Sequence, residues 1–152
     1  MKAVIQRVQY ANVKVEGNSI GEIQKGFLVL LGITHTDTEE DVHWLANKIK
    51  DLRVFEDEKG KMNLSLEEVK GEVLIVSQFT LYGNCKKGRR PAFVETAKPE
   101  VAIPLYEMFL KTFASFGIKT EAGEFGADMK VELVNDGPFT LMLDSQELFG
   151  KQ

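Results

Sequence analysis

The sequence predicts an α/β fold. β-prone segments come before and after two stretches with helical apolar spacing, and two short runs are apolar without a break. Those runs, Phe27-Leu28-Val29-Leu30-Leu31 and Val73-Leu74-Ile75-Val76, suit strands covered on both faces, where neither side of the pleat meets water. At 152 residues the chain can bury roughly 70% of its unfolded surface around one core, so residues 1–152 are expected to form a single domain.

In order along the chain, residues 2–15 are β-prone, but Val4 and Val8 share one parity while Ala11, Val13 and Val15 share the other, which predicts a bulge or twist near Tyr10. Glu16-Gly17-Asn18-Ser19 reads as a turn, Ile20-Gly21-Glu22-Ile23 as a short strand, and Lys25-Gly26 as a reversal into the first unbroken run, which should be central. Thr38 followed by Asp41 resembles a capping box, and Val42, Leu45, Ala46 and Ile49 then repeat at helical spacing, so a helix should lie on the sheet. Arg53-Val54-Phe55 reads as a short strand, residues 56–60 as a charged turn, and Met62, Leu64 and Leu66 alternate. The second unbroken run delivers Ser77, Gln78 and Thr80 at its end. Residues 82–98 mix glycine, proline and clustered charge without a period, as a long functional loop does. A second helix presents Ala102, Leu105, Tyr106, Phe109, Phe113 and Phe116 on one face, with Gly117 as its stop; Pro104 either kinks it or delays its start. Residues 121–128 read as irregular, and alternation on both sides of Asn135-Asp136-Gly137-Pro138 predicts strand, turn, strand: a closing hairpin.

The net charge of −4 argues against indiscriminate nucleic-acid binding, although Lys86-Lys87-Gly88-Arg89-Arg90 forms a local basic patch. One cysteine and two histidines argue against an internal disulfide and a dedicated zinc site, and no metal or cofactor is expected. The N-terminal residues lack a signal-peptide core, and the longest apolar run is too short to span a bilayer, so a cytoplasmic protein with no membrane partner is expected.

Ser77, Gln78 and Thr80 offer donors and acceptors at the end of a buried strand. Thr80 as a nucleophile would need a base, and the spacing of His35 and His43 provides none. Arg7, inside an otherwise apolar strand, needs carbonyl or carboxylate partners and could brace a turn. Each residue alone reads most simply as structural.

Together, Ala3-Val4-Ile5-Gln6-Arg7-Val8, Ser77-Gln78-Phe79-Thr80-Leu81, Lys86-Lys87-Gly88-Arg89-Arg90-Pro91 and Asn135-Asp136-Gly137-Pro138-Phe139-Thr140 resemble the D-aminoacyl-tRNA deacylases from Met1 to Asp144. The resemblance implies mixed sheets packed in a layered α/β/β sandwich with two main helices. It implies a carboxylic ester hydrolase acting on D-aminoacyl-tRNA, with glycyl-tRNA as a second substrate, and a homodimer with active sites at the subunit interface. By position, Ser77, Gln78, Phe79 and Thr80 become the catalytic pocket. Gly137 and Pro138, joined by a cis peptide, become a chirality filter reaching into the partner. Arg7 holds that motif, Met129 and Ala102 complete the wall, and Lys86, Lys87, Arg89 and Arg90 are candidates for tRNA contact. The family has been read either with Thr80 as nucleophile or with the tRNA's own 2′-hydroxyl assisting. Two departures stand outside the motifs: Ala92 where serine is common, and Cys85 in the loop before the basic run. The competing readings are an RNA-binding module without turnover and a general esterase with Thr80 as nucleophile; no Ser-His-Asp pattern supports the latter.

Overall fold

Two long antiparallel strands, β1 (Lys2–Val15) and β8 (Lys130–Asp144), run side by side through the computed structural model, which describes residues 1–150. The last two residues of the expected 1–152 domain lie outside the described residues. The N-terminal half of β1 pairs on its other side with β3 (Gly26–Gly32), and its C-terminal half with β2 (Asn18–Ile23). β3 continues in parallel to β6 (Glu72–Ser77), and β6 to β7 (Thr120–Ala122), giving the order β2-β1-β3-β6-β7 with β8 joined to β1. A separate two-stranded sheet joins β4 (Phe55–Glu56) to β5 (Met62–Leu64).

Side-chain parity divides this sheet into two cores. Phe27, Val29 and Leu31 of β3, and Val73 and Ile75 of β6, face α1 (Glu39–Asp51) and α2 (Pro99–Ser115). Their neighbours Leu28, Leu74 and Val76 point the other way, onto Val8, Ala11, Val13 and Ile23. The unbroken apolar runs are therefore buried on both faces, because the C-terminal half of β1 folds back with β2 over β6 and β7. The result is the expected α/β/β layering, with β3 central. The parity switch in β1 coincides with register shifts between Gln6 and Tyr10, close to the expected bulge.

α1 buries Val42, Leu45, Ala46 and Ile49, and the Asp41 carboxylate accepts a 2.8 Å hydrogen bond from the Thr38 N–H at its start. In α2, Pro104 lies inside the second turn; the start is not delayed, because Pro99 supplies the first position, where a missing N–H costs nothing.

The structure corrects several expectations. Residues 129–144 do not form a closing hairpin: β8 is one strand, and both halves pair with β1 rather than with each other. Local alternation cannot tell these arrangements apart, since the partner that decides between them is more than a hundred residues away. Residues 121–128 are not wholly irregular, because Glu121 and Ala122 pair with Leu74 and Ile75. Phe79 and Thr80 do not prolong β6; the chain turns there into a short 3-10 helix, Phe79–Tyr82. A short α3 (Ser145–Phe149), with the Asp144 carboxylate accepting from Gln146 N–H, was not anticipated. Among the described residues no helix is long and apolar enough to cross a membrane, and no cluster of three potential metal ligands occurs.

Candidate functional site

β3 and β6 are parallel, pair Leu31 with Ser77, and end together. Ligands of α/β sheets lodge beyond the carboxyl ends of such strands. Here an apolar pocket of about 70 Å³ is walled by Leu31, Ser77, Gln78, Phe79, Thr96 and Ala102 together with Phe125 and Gly126. A second, wider hollow of about 220 Å³ adjoins it, sharing Ser77, Gln78, Phe79 and Gly126 and adding Met129 and Val131. Ala102 thus lines the first hollow and Met129 the second, both beside the Ser77-Gln78-Phe79 segment.

Several bonds hold that segment. Gln78 N–H donates to the Leu31 carbonyl at 2.8 Å, so the chain is pinned to β3 just where it leaves β6. The following 3-10 turn closes with Leu81 N–H on the Gln78 carbonyl. A turn of this kind leaves its first N–H groups without internal acceptors; those of Phe79 and Thr80 have none among the described residues. Thr96 Oγ1 donates to the Phe79 carbonyl at 3.2 Å, and Gln78 Nε2 donates to Thr80 Oγ1 at 2.6 Å. The Thr80 hydroxyl thus meets an amide donor, and no carboxylate, amine or imidazole is hydrogen-bonded to it among the described residues. The Phe79 ring is 54% exposed and meets Phe93 edge-on at 5.1 Å, a free aromatic face beside the pocket.

The opposite wall comes from α2 and the glycine-rich segment after β7. The buried Tyr106 hydroxyl donates to the Ile75 carbonyl at 2.9 Å, docking α2 two residues before Ser77 and presenting Ala102 one turn earlier. Burial pushes the Tyr106 phenol up. Met129 folds its sulfur into the space that a Cβ on Gly123 would occupy, 2.6 Å away.

Gly137 and Pro138 lie elsewhere on the chain. At the centre of the β1–β8 ladder, Gln6 pairs with Thr140 and Val8 with Asn135, so Arg7 alone faces residues 136–139. The surplus residues bulge outward, with a cis peptide between Gly137 and Pro138, both exposed. Arg7, 8% exposed, fills the gap opposite: Nε donates to the Asp136 carbonyl at 2.9 Å, Nη1 to the Val54 carbonyl at 2.5 Å, and the guanidinium lies 5.0 Å from the Phe139 ring centre. Gly137 has φ +142°, and a Cβ there would stand 2.9 Å from Arg7 Nη2 and 3.0 Å from Phe139 N, so only glycine fits without a shift. Within one chain the bulge lines neither pocket beside Ser77; with Arg7, Lys25, Phe55 and Glu56 it borders a separate surface hollow.

Lys86, Lys87, Arg89 and Arg90 sit on an exposed tip whose base is closed by reciprocal 2.8 Å backbone bonds between Asn84 and Ala92. The tip carries Cys85, a free, exposed thiol.

A family model described as D-Tyr-tRNA(Tyr) deacylase matches residues 4–144, which include every segment just described. The chain belongs to this family. It is 61% identical over 147 residues to a D-aminoacyl-tRNA deacylase of Fusobacterium nucleatum subsp. nucleatum, covering 97% of both chains, and 59% identical over 152 residues to one of Thermus aquaticus, covering both completely. Membership makes the protein an enzyme of the deacylase class, a hydrolase of ester bonds. Among solved structures, a c-Myc DNA Unwinding Element Binding Protein superposes with a TM-score of 0.89 at 42% identity, covering 95% of this chain and 98% of that one. A probable eukaryotic D-amino acid tRNA deacylase superposes with a TM-score of 0.82 at 19% identity, covering 93% and 97%, and shares the fold.

Thr96, Phe125 and Gly126 were not singled out from the sequence, although they wall the pocket. The alternation that would have marked Phe125 is absent, because it hangs in an irregular segment and packs on Tyr106, 5.8 Å away.

Proposed function

We propose that the protein hydrolyses the ester joining a D-amino acid to the 3′-terminal adenosine of tRNA, as a homodimer in which the Gly137-Pro138 bulge of each chain enters the pocket of the other. The observation that carries this reading is the separation of two elements in one chain: a formed pocket at Ser77-Gln78-Phe79, and a braced, exposed bulge that lines none of it. Among the described residues β8 pairs with no strand but β1, and it carries exposed Val134 and Met142 on either side of the bulge, apolar surface that a second copy would cover.

In the reaction, water attacks the ester carbonyl, the bond from carbonyl carbon to O3′ breaks, and the proton lost by water reaches O3′, releasing free tRNA and amino acid. The N–H groups of Phe79 and Thr80, which have no acceptor among the described residues, would receive the oxyanion. Thr80 Oγ1 meets the Gln78 amide and no basic partner among the described residues, which favours assistance by the tRNA's own 2′-hydroxyl, with Thr80 in a positioning role. The exposed Phe79 ring and the basic tip at residues 86–90 are suited to the terminal base and backbone phosphates. Main-chain atoms of the bulge would occupy the space toward which an L side chain points, so rejection is steric, D side chains of many kinds are admitted, and glycine passes because it has nothing to clash. An aminoacyl-tRNA substrate would suit a cytoplasmic enzyme.

The basic tip also favours a second reading, nucleic-acid binding without turnover, in keeping with the DNA-binding name of the 42% identical structure. Purified protein given matched D-Tyr-tRNA and L-Tyr-tRNA, with spontaneous hydrolysis subtracted, separates the two. Rapid loss of the D-ester alone is expected. Binding of tRNA without cleavage of either ester would favour the second reading, and equal cleavage would sink the steric filter.

A further inference from the structure

We infer that the side chains of Asn135 and Thr140 form a clamp across the neck of the Gly137-Pro138 bulge, making both of them positioning residues for rejection of L-aminoacyl esters. This rests on the filter role proposed above. Asn135 and Thr140 are the last paired residues of β8 on either side of the bulge, opposite Val8 and Gln6. Asn135 Nδ2 donates to Thr140 Oγ1 at 2.9 Å, and Asn135 Oδ1 accepts from the Phe139 N–H at 2.6 Å. The backbone amide can only donate, which fixes the orientation of the carboxamide: oxygen toward Phe139, nitrogen toward Thr140.

Arg7 grips the bulge from below, at the Asp136 carbonyl and the face of Phe139. That grip holds Asp136 by a hydrogen bond and Phe139 only by its ring face, and neither contact is to Asn135 or Thr140, the residues that set the width of the neck. The carboxamide does, because it bonds to the residue just past Pro138 and to the first residue back in the ladder. Phe139 is thereby held twice, by its N–H and by its ring. A filter that works by steric exclusion must not yield by more than a fraction of an ångström, since a small outward shift would admit an L side chain while leaving D-ester chemistry at Phe79 and Thr80 untouched.

The test compares wild type with Asn135→Ala and Thr140→Val, measuring hydrolysis of D-Tyr-tRNA and L-Tyr-tRNA together with Tm. Each variant is expected to raise the ratio of L- to D-ester hydrolysis on the order of tenfold, the scale of one or two net hydrogen bonds, with D-turnover nearly kept. Asn135→Asp and Thr140→Ser should restore selectivity, because the carboxylate still accepts from Phe139 N–H and from a rotated Thr140 hydroxyl, and serine keeps the acceptor. A selective wild type whose Asn135→Ala and Thr140→Val variants are equally selective, or lose both activities in parallel with Tm, overturns the clamp alone. A wild type that cleaves both esters alike overturns the filter and the clamp together.

Discussion

The pocket at Ser77 and the bulge at Gly137 are held by different means. The pocket hangs on the ends of two parallel strands whose side chains are buried on both faces, and its walls are fixed by packing: Leu31, Ala102, Phe125 and Met129. The bulge stands out from a strand that, among the described residues, is paired on one side only, and polar side chains fix it: Arg7 from below and Asn135 across its neck. Removing a packed wall residue should therefore alter how substrate is held. Removing a polar brace should alter which substrate is refused.

The largest effect is expected at Arg7. Arg7→Ala leaves the Asp136 and Val54 carbonyls without their charged donor, and hydrogen bonds to charged groups contribute about 1.5–3 kcal/mol each. Stability should fall by roughly 3 kcal/mol, seen as a lower urea midpoint at constant m-value, with loss of discrimination outstripping loss of D-turnover. If selectivity survives unfolding-corrected comparison, the bulge does not depend on this brace.

Gly137→Ala comes next. The φ of +142° and the 2.9 Å approach to Arg7 Nη2 oppose a Cβ, and strain of this kind costs of order 1–3 kcal/mol. L-ester hydrolysis should rise while D-ester hydrolysis persists. A variant as selective as wild type would place the filter elsewhere.

A smaller effect is expected in the pocket. Thr80→Ala removes the acceptor of Gln78 Nε2 but leaves the backbone N–H groups in place, so single-turnover hydrolysis of D-Tyr-tRNA should fall by about tenfold at most, the scale of one net hydrogen bond. Loss of turnover by several orders of magnitude with intact substrate binding would instead make Thr80 the nucleophile.

The smallest concerns the hairpin that carries Val54 toward Arg7. Asp57 accepts from the N–H groups of Lys61 and Lys59, and the first of these bonds is the main cause holding its carboxyl below the usual carboxylate range. A folded-state pKa below the unfolded one gives stability that is present above the ordinary carboxylate pKa and lost as pH falls through the lowered value. The stability difference between wild type and Asp57→Asn should therefore shrink on acidification. A difference independent of pH would contradict this.

What could be read in the sequence divides along the same line. The two-sided burial of β3 and β6 is written in unbroken apolar runs, and α1 in its capping residues and i, i+3, i+4 spacing, because local chemistry decides these. The motif residues Ser77, Gln78 and Phe79 were visible, and so was the need of Arg7 for carbonyl partners. The bulge was not: alternation on both sides of Asn135-Asp136-Gly137-Pro138 fits a hairpin equally well, and only pairing with β1, remote in sequence, chooses between them. Nor could spacing show that Thr96 would reach the Phe79 carbonyl, which depends on where an irregular segment returns in space, or that Asn135 would close the neck, which depends on the bulge that pairing with β1 creates.

The central claim is that pocket and bulge meet across two chains, and mixed dimers test it most directly. One chain carries Ala102→Trp, filling its pocket; the other carries Gly137→Ala; the two bear different tags so that the mixed dimer can be purified. In that dimer the open pocket faces an intact bulge from its partner, so hydrolysis should be active and selective for D-Tyr-tRNA, although one parent dimer is inactive and the other unselective. If the mixed dimer shows only the unselective hydrolysis of the Gly137→Ala chain, the bulge acts within its own chain and the account is contradicted.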